Sequence, residues 1–391
     1  MYAQKLFETI QHVSQLIRKI IMNNLLILGS GRVGRLTAYL LADSGNYNIH
    51  IGDKNAIKSP IEAYRHENRI KCILIDANDG RAIKEYIKSN NIHGVVSCLP
   101  FFYNISIAEI AKQESIHYFD LTEDVKTTEA IEEISKNADS IFAPQCGLAP
   151  GFISIIANEL MNNFDEVNDV KMRVGALPLN VNNSLQYGLT WSTEGIVNEY
   201  AQPCKAIING SHKTLDPLED TETIKIDGLT YEAFNTSGGI GSMINTYRGK
   251  VKNMTYKSVR YPGHGEKIKF LMNDMKLSSD LPQMCKIIDD ALPRISQDMV
   301  LIYVSVNGKK HATNSEQNYA QKFPSKQLFG ERFSALQLTT ATSLCVTIDL
   351  ALTENKFSNG FLKQEYISLS EFYENRFGTY YKNEGLLSEI S

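Results

Sequence analysis

Short apolar runs alternate with amphipathic stretches through the first third of the chain. Leu25-Leu26-Ile27-Leu28 is four apolar residues in a row, the pattern of a strand buried on both faces. Further strands are predicted at Tyr47–Gly52, Lys71–Ile75, Gly94–Leu99, His117–Leu121 and Ser140–Ala143. Helical periodicity fills the gaps at Arg35–Ser44, Asp79–Asn90, Ser106–Glu114 and Val125–Asn137, with Asp79 placed as an N-cap. The β-α-β-α series predicts a doubly wound parallel sheet from residue 22 to about 151. After Pro150 the texture changes. A helix over Phe152–Asn163 leads into alternating segments that predict a mixed or antiparallel sheet with few helices. They are Val170–Leu177, Leu189–Ser192, Ala206–Ile208, Thr223–Ile226, Tyr231–Asn235, Met254–Val259 and Met299–Val306. Asn307-Gly308 is a hairpin signal. An apolar helix over Phe333–Thr353 is expected to return to the first domain. The expected organisation is therefore a doubly wound first domain (22–151), an inserted mixed α+β domain (152–334), and a returning helix with a tail (335–391). Residues 1–21 repeat apolar side chains at helical spacing between basic ones. We treat them as an N-terminal extension ahead of a natural start at Met22.

Composition narrows the possibilities. The net charge of −4 leaves no basic footprint for nucleic acid. No run approaches the roughly 18 apolar residues of a membrane span. The 6 cysteines are scattered without CxxC spacing, which argues against a zinc ribbon or redox pair and fits a reducing cytoplasm. No His-x-x-x-His occurs, so no metal is expected.

The chemistry starts at Gly29-Ser30-Gly31-Arg32-Val33-Gly34. Three glycines at this spacing arise by chance about 0.1 times per chain of this glycine content, so context decides. Here they follow a strand and open a helix. Gly29 suits the tight turn, Gly31 the approach of a pyrophosphate, and Gly34 close helix–strand packing. Asp53, about 20 residues on at the end of the second strand, is placed to accept the hydroxyls of an adenosine ribose. Its charge favours NAD, with NADP as the alternative, since Lys54 adjoins it. Other rim positions expected to line the cofactor are Asp76, Ala77, Ser97, Cys98, Leu99, Pro100, Leu121, Thr122 and Gly147. The Gly147–Gly151 loop is read as a fixed loop that turns a positive helix end toward the cofactor, or as an interdomain hinge. Asp120 either orients an amine or caps the following helix. In the second domain, Trp191 with Glu194, and Arg260 with His264, stand out. Arg260 suits a substrate carboxylate, and His264 either shuttles protons or is a buried structural residue.

Taken together, Gly29–Gly34, Ser97–Pro100, Gly147–Gly151, Trp191-Ser192 and Arg260–His264, in this order, resemble the saccharopine dehydrogenase family, including bacterial lysine 6-dehydrogenases. The resemblance spans about residues 24–350. It implies a Rossmann domain at 22–151, an inserted α+β substrate and dimerisation domain at 152–334, and a homodimer that binds a small amino-acid substrate. It further implies oxidation of the ε C–N bond of a lysine derivative, with hydride passing to a nicotinamide cofactor. Asp120 and His264 are then the expected proton handlers, and Trp191, Glu194 and Arg260 the expected substrate contacts. One departure matters. Where this chain has Glu194, glutamate-forming saccharopine dehydrogenases carry an arginine. A charge-assisted contact contributes about 1.5–3 kcal/mol. Its loss disfavours a triacid unless Arg173, Arg248 or Arg260 substitutes. Lysine 6-dehydrogenase, a carboxynorspermidine dehydrogenase and a non-catalytic NAD sensor are the alternatives.

Overall fold

A computed structural model describes residues 22–55, 67–180, 182–353 and 356–382. The expected extension at 1–21 lies outside them. The first sheet contains β1 (Asn23–Leu28), β2 (Tyr47–Asp53), β3 (Ile70–Leu74), β4 (Gly94–Ser97), β5 (His117–Asp120) and β6 (Ile141–Ala143). The strand order is β3-β2-β1-β4-β5-β6, all parallel. Crossovers run through α1 (Arg32–Asp43), α2 (Gly80–Ser89), α3 (Asn104–Gln113) and α4 (Val125–Ile134). Asp79 caps α2 as expected, its carboxylate accepting from the Ala82 amide at 2.9 Å. Because the order reverses beside β1, the strand ends open a crevice there, where ligands of such sheets bind.

After α5 (Phe152–Met161) comes the second sheet, in the order β10-β11-β12-β7-β13-β14. Its central members are β7 (Glu166–Pro178), β12 (Val251–Arg260) and β13 (Asp298–Lys310). β7 and β12 are parallel, whereas β13 is antiparallel to β7. β8 (Cys204–Ile208) joins β12 off this path, and β9 (Ser211–Leu215) joins β8. β10 (Glu222–Ile226) and β11 (Leu229–Asn235) form a hairpin. β14 (Thr313–Pro324) is an edge strand, and β15 (Lys326–Leu328) and β16 (Glu331–Phe333) form a separate small hairpin.

Four expectations are corrected. Leu189–Ser192 is not a strand: Leu189 makes only a bridge to Arg294. Asn307-Gly308 is not a turn but a register shift inside β13, where a Cβ on Gly308 would lie 2.0 Å from the Glu166 carbonyl. The hairpin turns at His311-Ala312, both in the left-handed region. The second domain also holds more helix than expected: α6 (Thr193–Ala201), α7 (Met243–Thr246), α8 (His264–Lys269) and α9 (Leu281–Ala291). Residues 356–382 are not a tail. β17 (Gly360–Phe361) pairs in parallel with β6 as a seventh strand. Arg376 ties the segment to Asp349 and Asn46.

The returning helix is α10 (Ala335–Thr353), which packs along α1. It is long and apolar enough to cross a membrane, but 83% of its apolar window is buried inside the protein. A single apolar cluster runs from Leu25 and Ile27 through Phe152, Ile156, Leu344 and Ile348 to Val300 and Ile302. The two sheets thus share a core through α5 and α10, which fixes the crevice between them.

Candidate active site

The turn after β1 gives two of its glycines a steric reason and leaves open space at the third. Gly29 has φ +102°, and a Cβ there would lie 2.7 Å from the Cys98 carbonyl. A Cβ on Gly34 would lie 2.0 Å from the Gly29 carbonyl, so only glycine lets α1 approach the turn. At Gly31 a Cβ would meet nothing within 4 Å: the open space is where a ligand comes close. α1 has no side-chain cap, and its first internal bond runs from the Arg35 amide to the Gly31 carbonyl at 2.9 Å. The amides of Arg32, Val33 and Gly34 thus lack intrahelical acceptors, and these residues line the cleft. A pyrophosphate fits this cradle.

Asp53 closes the turn from the side. Its Oδ2 accepts from the Ser30 amide at 2.9 Å and the Ser30 hydroxyl at 2.8 Å, and its Oδ1 accepts from the Asn55 amide at 3.0 Å. Burial raises its pKa, but these bonds and Lys54 outweigh it and hold the carboxyl below its usual value. Asp53 is therefore an anion at neutral pH, beside the glycine turn.

The cleft between the sheets has a volume of about 610 Å³. Cys98, Leu99, Pro100, Leu121, Thr122 and Gly147, all expected at the cofactor, line it from the first domain. Three cofactor expectations change. The Ser97 hydroxyl is buried and donates to Asn104 Oδ1 at 2.7 Å, away from the cleft. Asp76 folds back on Asn78, and Ala77 lines a separate depression beside Phe102 and Tyr103. The start of α5 offers no free amides, because Phe152, Ile153 and Ser154 donate to Gly147, Leu148 and Gly151. Gly147–Gly151 is a fixed loop, with Gly151 at φ +136° packed on the Gly147 carbonyl.

The second domain supplies the opposite wall. Ser192 caps α6 by accepting from the Gly195 amide at 3.0 Å. That places Trp191 and Glu194 on the cleft, with Gly195 under the indole: a Cβ there would lie 2.5 Å from the ring. Arg260, at the end of β12, lines the cleft while only 4% exposed. Its Nη1 donates to the Val259 carbonyl at 2.9 Å and its Nε to the Tyr200 hydroxyl at 3.1 Å. Tyr200 lies 3.0 Å from His264 Nε2, and His264 Nδ1 lies 2.8 Å from the Leu185 carbonyl. A carbonyl only accepts, so Nδ1 carries the hydrogen and Nε2 accepts from Tyr200. The guanidinium also sits 5.0 Å over the Tyr187 ring. Its Nη2 has no protein partner among the described residues and is left for a ligand carboxylate.

This geometry overturns both proton-handling expectations. His264 is 1% exposed and does not line the cleft. Burial and the Arg260 charge push it down to about 3, so it is neutral and orients Tyr200. Asp120 is fully buried beneath the cleft floor. It accepts from Tyr118 Oη at 2.6 Å, Asn104 Nδ2 at 3.1 Å, and the Thr122 and Gln145 amides at 2.9 and 3.1 Å. Burial pushes its carboxyl up to about 6 against those bonds. It locks the β5 and β6 loops together and has no acceptor turned to the cleft.

Three charged cleft residues were given no role by the sequence reading: Glu123, Glu199 and Arg294. Burial pushes the Glu199 carboxyl up to about 8, Arg260 opposing and Glu123 adding to the rise. Burial lifts Glu123 to about 7, with Asp124 and Asp120 contributing. The signal was present in Asn198-Glu199-Tyr200, an acid among buried positions of α6. Arg294 is held by Asp289 at 2.8 Å. Neither other candidate cation reaches the cleft: Arg173 pairs with Glu222 and Thr255, and Arg248 is exposed. Among the described residues no cluster could hold a metal ion.

Comparisons with known proteins agree with this architecture. A family model described as the saccharopine dehydrogenase NADP binding domain matches residues 25–143. A second, the saccharopine dehydrogenase C-terminal domain, matches residues 147–379. The NADP(+)-dependent, L-glutamate-forming saccharopine dehydrogenase of Schizosaccharomyces pombe is 24% identical over 213 residues, 52% of this chain and 46% of that protein. The mouse mitochondrial alpha-aminoadipic semialdehyde synthase is 24% identical over 220 residues, 54% of this chain and 23% of that protein. The chain thus aligns with half or less of these relatives. Apo saccharopine dehydrogenase (L-Glu forming) from Saccharomyces cerevisiae shares the fold with a TM-score of 0.71 at 15% identity, covering 88% of this chain and 94% of that one. With the two family models spanning both sheets, the chain belongs to the saccharopine dehydrogenase family.

Proposed function

We propose that the protein is a nicotinamide-dependent amino-acid dehydrogenase that oxidises the ε C–N bond of a lysine-derived amino acid. Saccharopine is the first substrate to test, cleaved to allysine and glutamate in lysine metabolism. The observation that carries this reading is Arg260. Its charge is held by Tyr200 and the Val259 carbonyl, with Nη2 free, in the same cleft as the phosphate cradle of Gly31–Gly34. One group there takes a carboxylate and the other a dinucleotide.

When bound, the nicotinamide ring supplies the hydride acceptor. The chain's own residues do the rest. The amides of Arg32–Gly34 hold the pyrophosphate, and Asp53 receives the ribose. Cys98–Pro100 and Leu148–Pro150 wall the space from the first domain, and Trp191 closes it from the second. Asp53 supports NAD as the cofactor. A 2′-phosphate about 4 Å from its carboxylate would be repelled by roughly 4 kcal/mol per charge pair at an effective dielectric near 20. The matching domain model and the fission-yeast relative carry NADP in their descriptions, so on this reading the chain would differ from them in its cofactor.

A second reading rests on Glu194. An anion on the cleft wall suits an amine better than a further carboxylate, which favours lysine itself, with ammonia released. The test is reduced-nicotinamide absorbance on adding saccharopine or lysine to protein with NAD or NADP, with glutamate and ammonia assayed as products. Glutamate from saccharopine selects the first reading and ammonia from lysine the second. No reduction with either amine refutes both.

A further inference from the structure

Glu199 is 7% exposed, lines the cleft, and has no hydrogen-bond partner for its carboxylate among the described residues. Burying a carboxylate costs several kcal/mol unless something in the cleft compensates. The available neighbours are few. Arg260 is the nearby cation, but its Nε and Nη1 are already committed. Tyr187, Tyr200, Tyr256 and Cys204 are neutral neighbours whose own ionisation Glu199 opposes. Glu123 faces the same cleft from the loop after β5, next to Asp120 and Asp124. One loop joins the two glutamates: the Ser237 amide donates to the Glu199 carbonyl at 3.1 Å, and Gly238 packs on the Glu123 carbonyl. Each acid comes from a different domain, so the pair forms only when the domains are assembled.

We propose that Glu199, coupled to Glu123 across the cleft, is the base that accepts the proton of the substrate's amine. This deepens the dehydrogenase reading above and rests on it. A substrate ammonium entering between the acids exchanges one N–H bond for a carboxyl O–H bond. The nitrogen keeps the electron pair, which it needs to form a double bond to carbon as hydride leaves that carbon for the cofactor. Charge balances, because the ammonium loses one positive charge and the carboxylate one negative charge. Burial, with Glu123 adding to it, pushes Glu199 to about 8, and burial pushes Glu123 to about 7, so Glu199 becomes the accepting carboxylate in the fraction that ionises as pH rises toward about 8, and it can return the proton afterwards. Two like charges that cannot both ionise freely are a recurrent way of setting an acid–base group near neutral pH.

Two experiments test this. In the ligand-free protein, 13C NMR of labelled glutamate carboxyls should show two signals titrating near neutral pH. Glu199→Gln should remove the higher of the two, and Glu123→Gln should move the Glu199 signal down, because a like charge is gone. If both glutamates titrate in the ordinary carboxyl range, the proposal fails whatever the activity. In the intact enzyme with NAD and its amine substrate, E199Q should lower kcat/KM by about 100-fold or more, remove the corresponding limb of the pH profile, and leave NADH affinity unchanged. Wild-type turnover with an E199Q variant within about threefold of it, and an unaltered pH profile, overturns the base assignment alone. A wild type inert toward every lysine-derived amine overturns the dehydrogenase reading and the assignment with it.

Discussion

Replacing Tyr200 with phenylalanine removes one oxygen from the centre of a buried chain. That oxygen accepts from Arg260 Nε at 3.1 Å and donates to His264 Nε2 at 3.0 Å. The ring stays, so contacts with Phe234 and His264 persist and packing loss is small. The loss is polar. A hydrogen bond to a charged donor contributes about 1.5–3 kcal/mol and a neutral one about 0.5–1.5, so Y200F should cost between about 2 and 4.5 kcal/mol of folding stability. Protonation of His264 does not rescue the variant, since burial and Arg260 keep the ring neutral. Arg260 retains its Nη1 bond to the Val259 carbonyl but gains freedom about the guanidinium, so substrate KM should rise while NADH affinity stays unchanged. Urea unfolding gives the stability and steady-state kinetics the KM. A stability loss under about 0.5 kcal/mol with an unchanged KM would show that the Tyr200–His264 chain does not hold the clamp.

Gly34→Ala places a Cβ 2.0 Å from the Gly29 carbonyl, so the turn must open; NADH binding by fluorescence titration should fall by more than tenfold, and retained affinity would deny the cradle its role. Asp53→Ala removes the anion at the ribose and should narrow the preference for NAD over NADP, measured as the ratio of the two Kd values; an unchanged ratio removes the argument from charge. Gly195→Ala drives a methyl into the Trp191 ring and should raise substrate KM with little effect on nucleotide affinity. Stability should also depend on pH through Glu199. Its folded pKa is raised above the unfolded one, so its contribution is complete below the unfolded value near 4.5 and is lost as pH rises through about 8. Wild type should therefore lose more stability across that window than E199Q, by up to roughly 4 kcal/mol; parallel curves would refute the shift.

The first domain was legible because its signals are local. Buried parallel strands are continuous apolar runs, and two glycines of the turn have a steric reason that spacing alone reveals. The second domain hides its elements. In β14 polar residues occupy both faces of Thr313–Asn318, so the period-2 alternation disappears at the sheet edge. The hairpin ahead of it turns on His311-Ala312, residues without turn chemistry, while the better signal at Asn307-Gly308 marks a bulge forced by the Glu166 backbone. Site chemistry followed the same divide. Arg260 was found because a cation after a strand is informative by itself. His264 and Asp120 were singled out by residue type, and burial then made one a neutral support and the other a saturated brace. Glu199 and Glu123 acquire their meaning only when the two domains meet across the cleft, a relation between residues 76 positions apart that no local window contains.

The most direct test mixes the purified full-length protein with NAD and saccharopine and follows reduced nicotinamide together with released glutamate. We predict one glutamate per reduced nicotinamide, with the signal abolished in G34A and strongly reduced in Arg260→Ala. Binding of neither NAD nor NADP by the wild-type protein would contradict the account at its root.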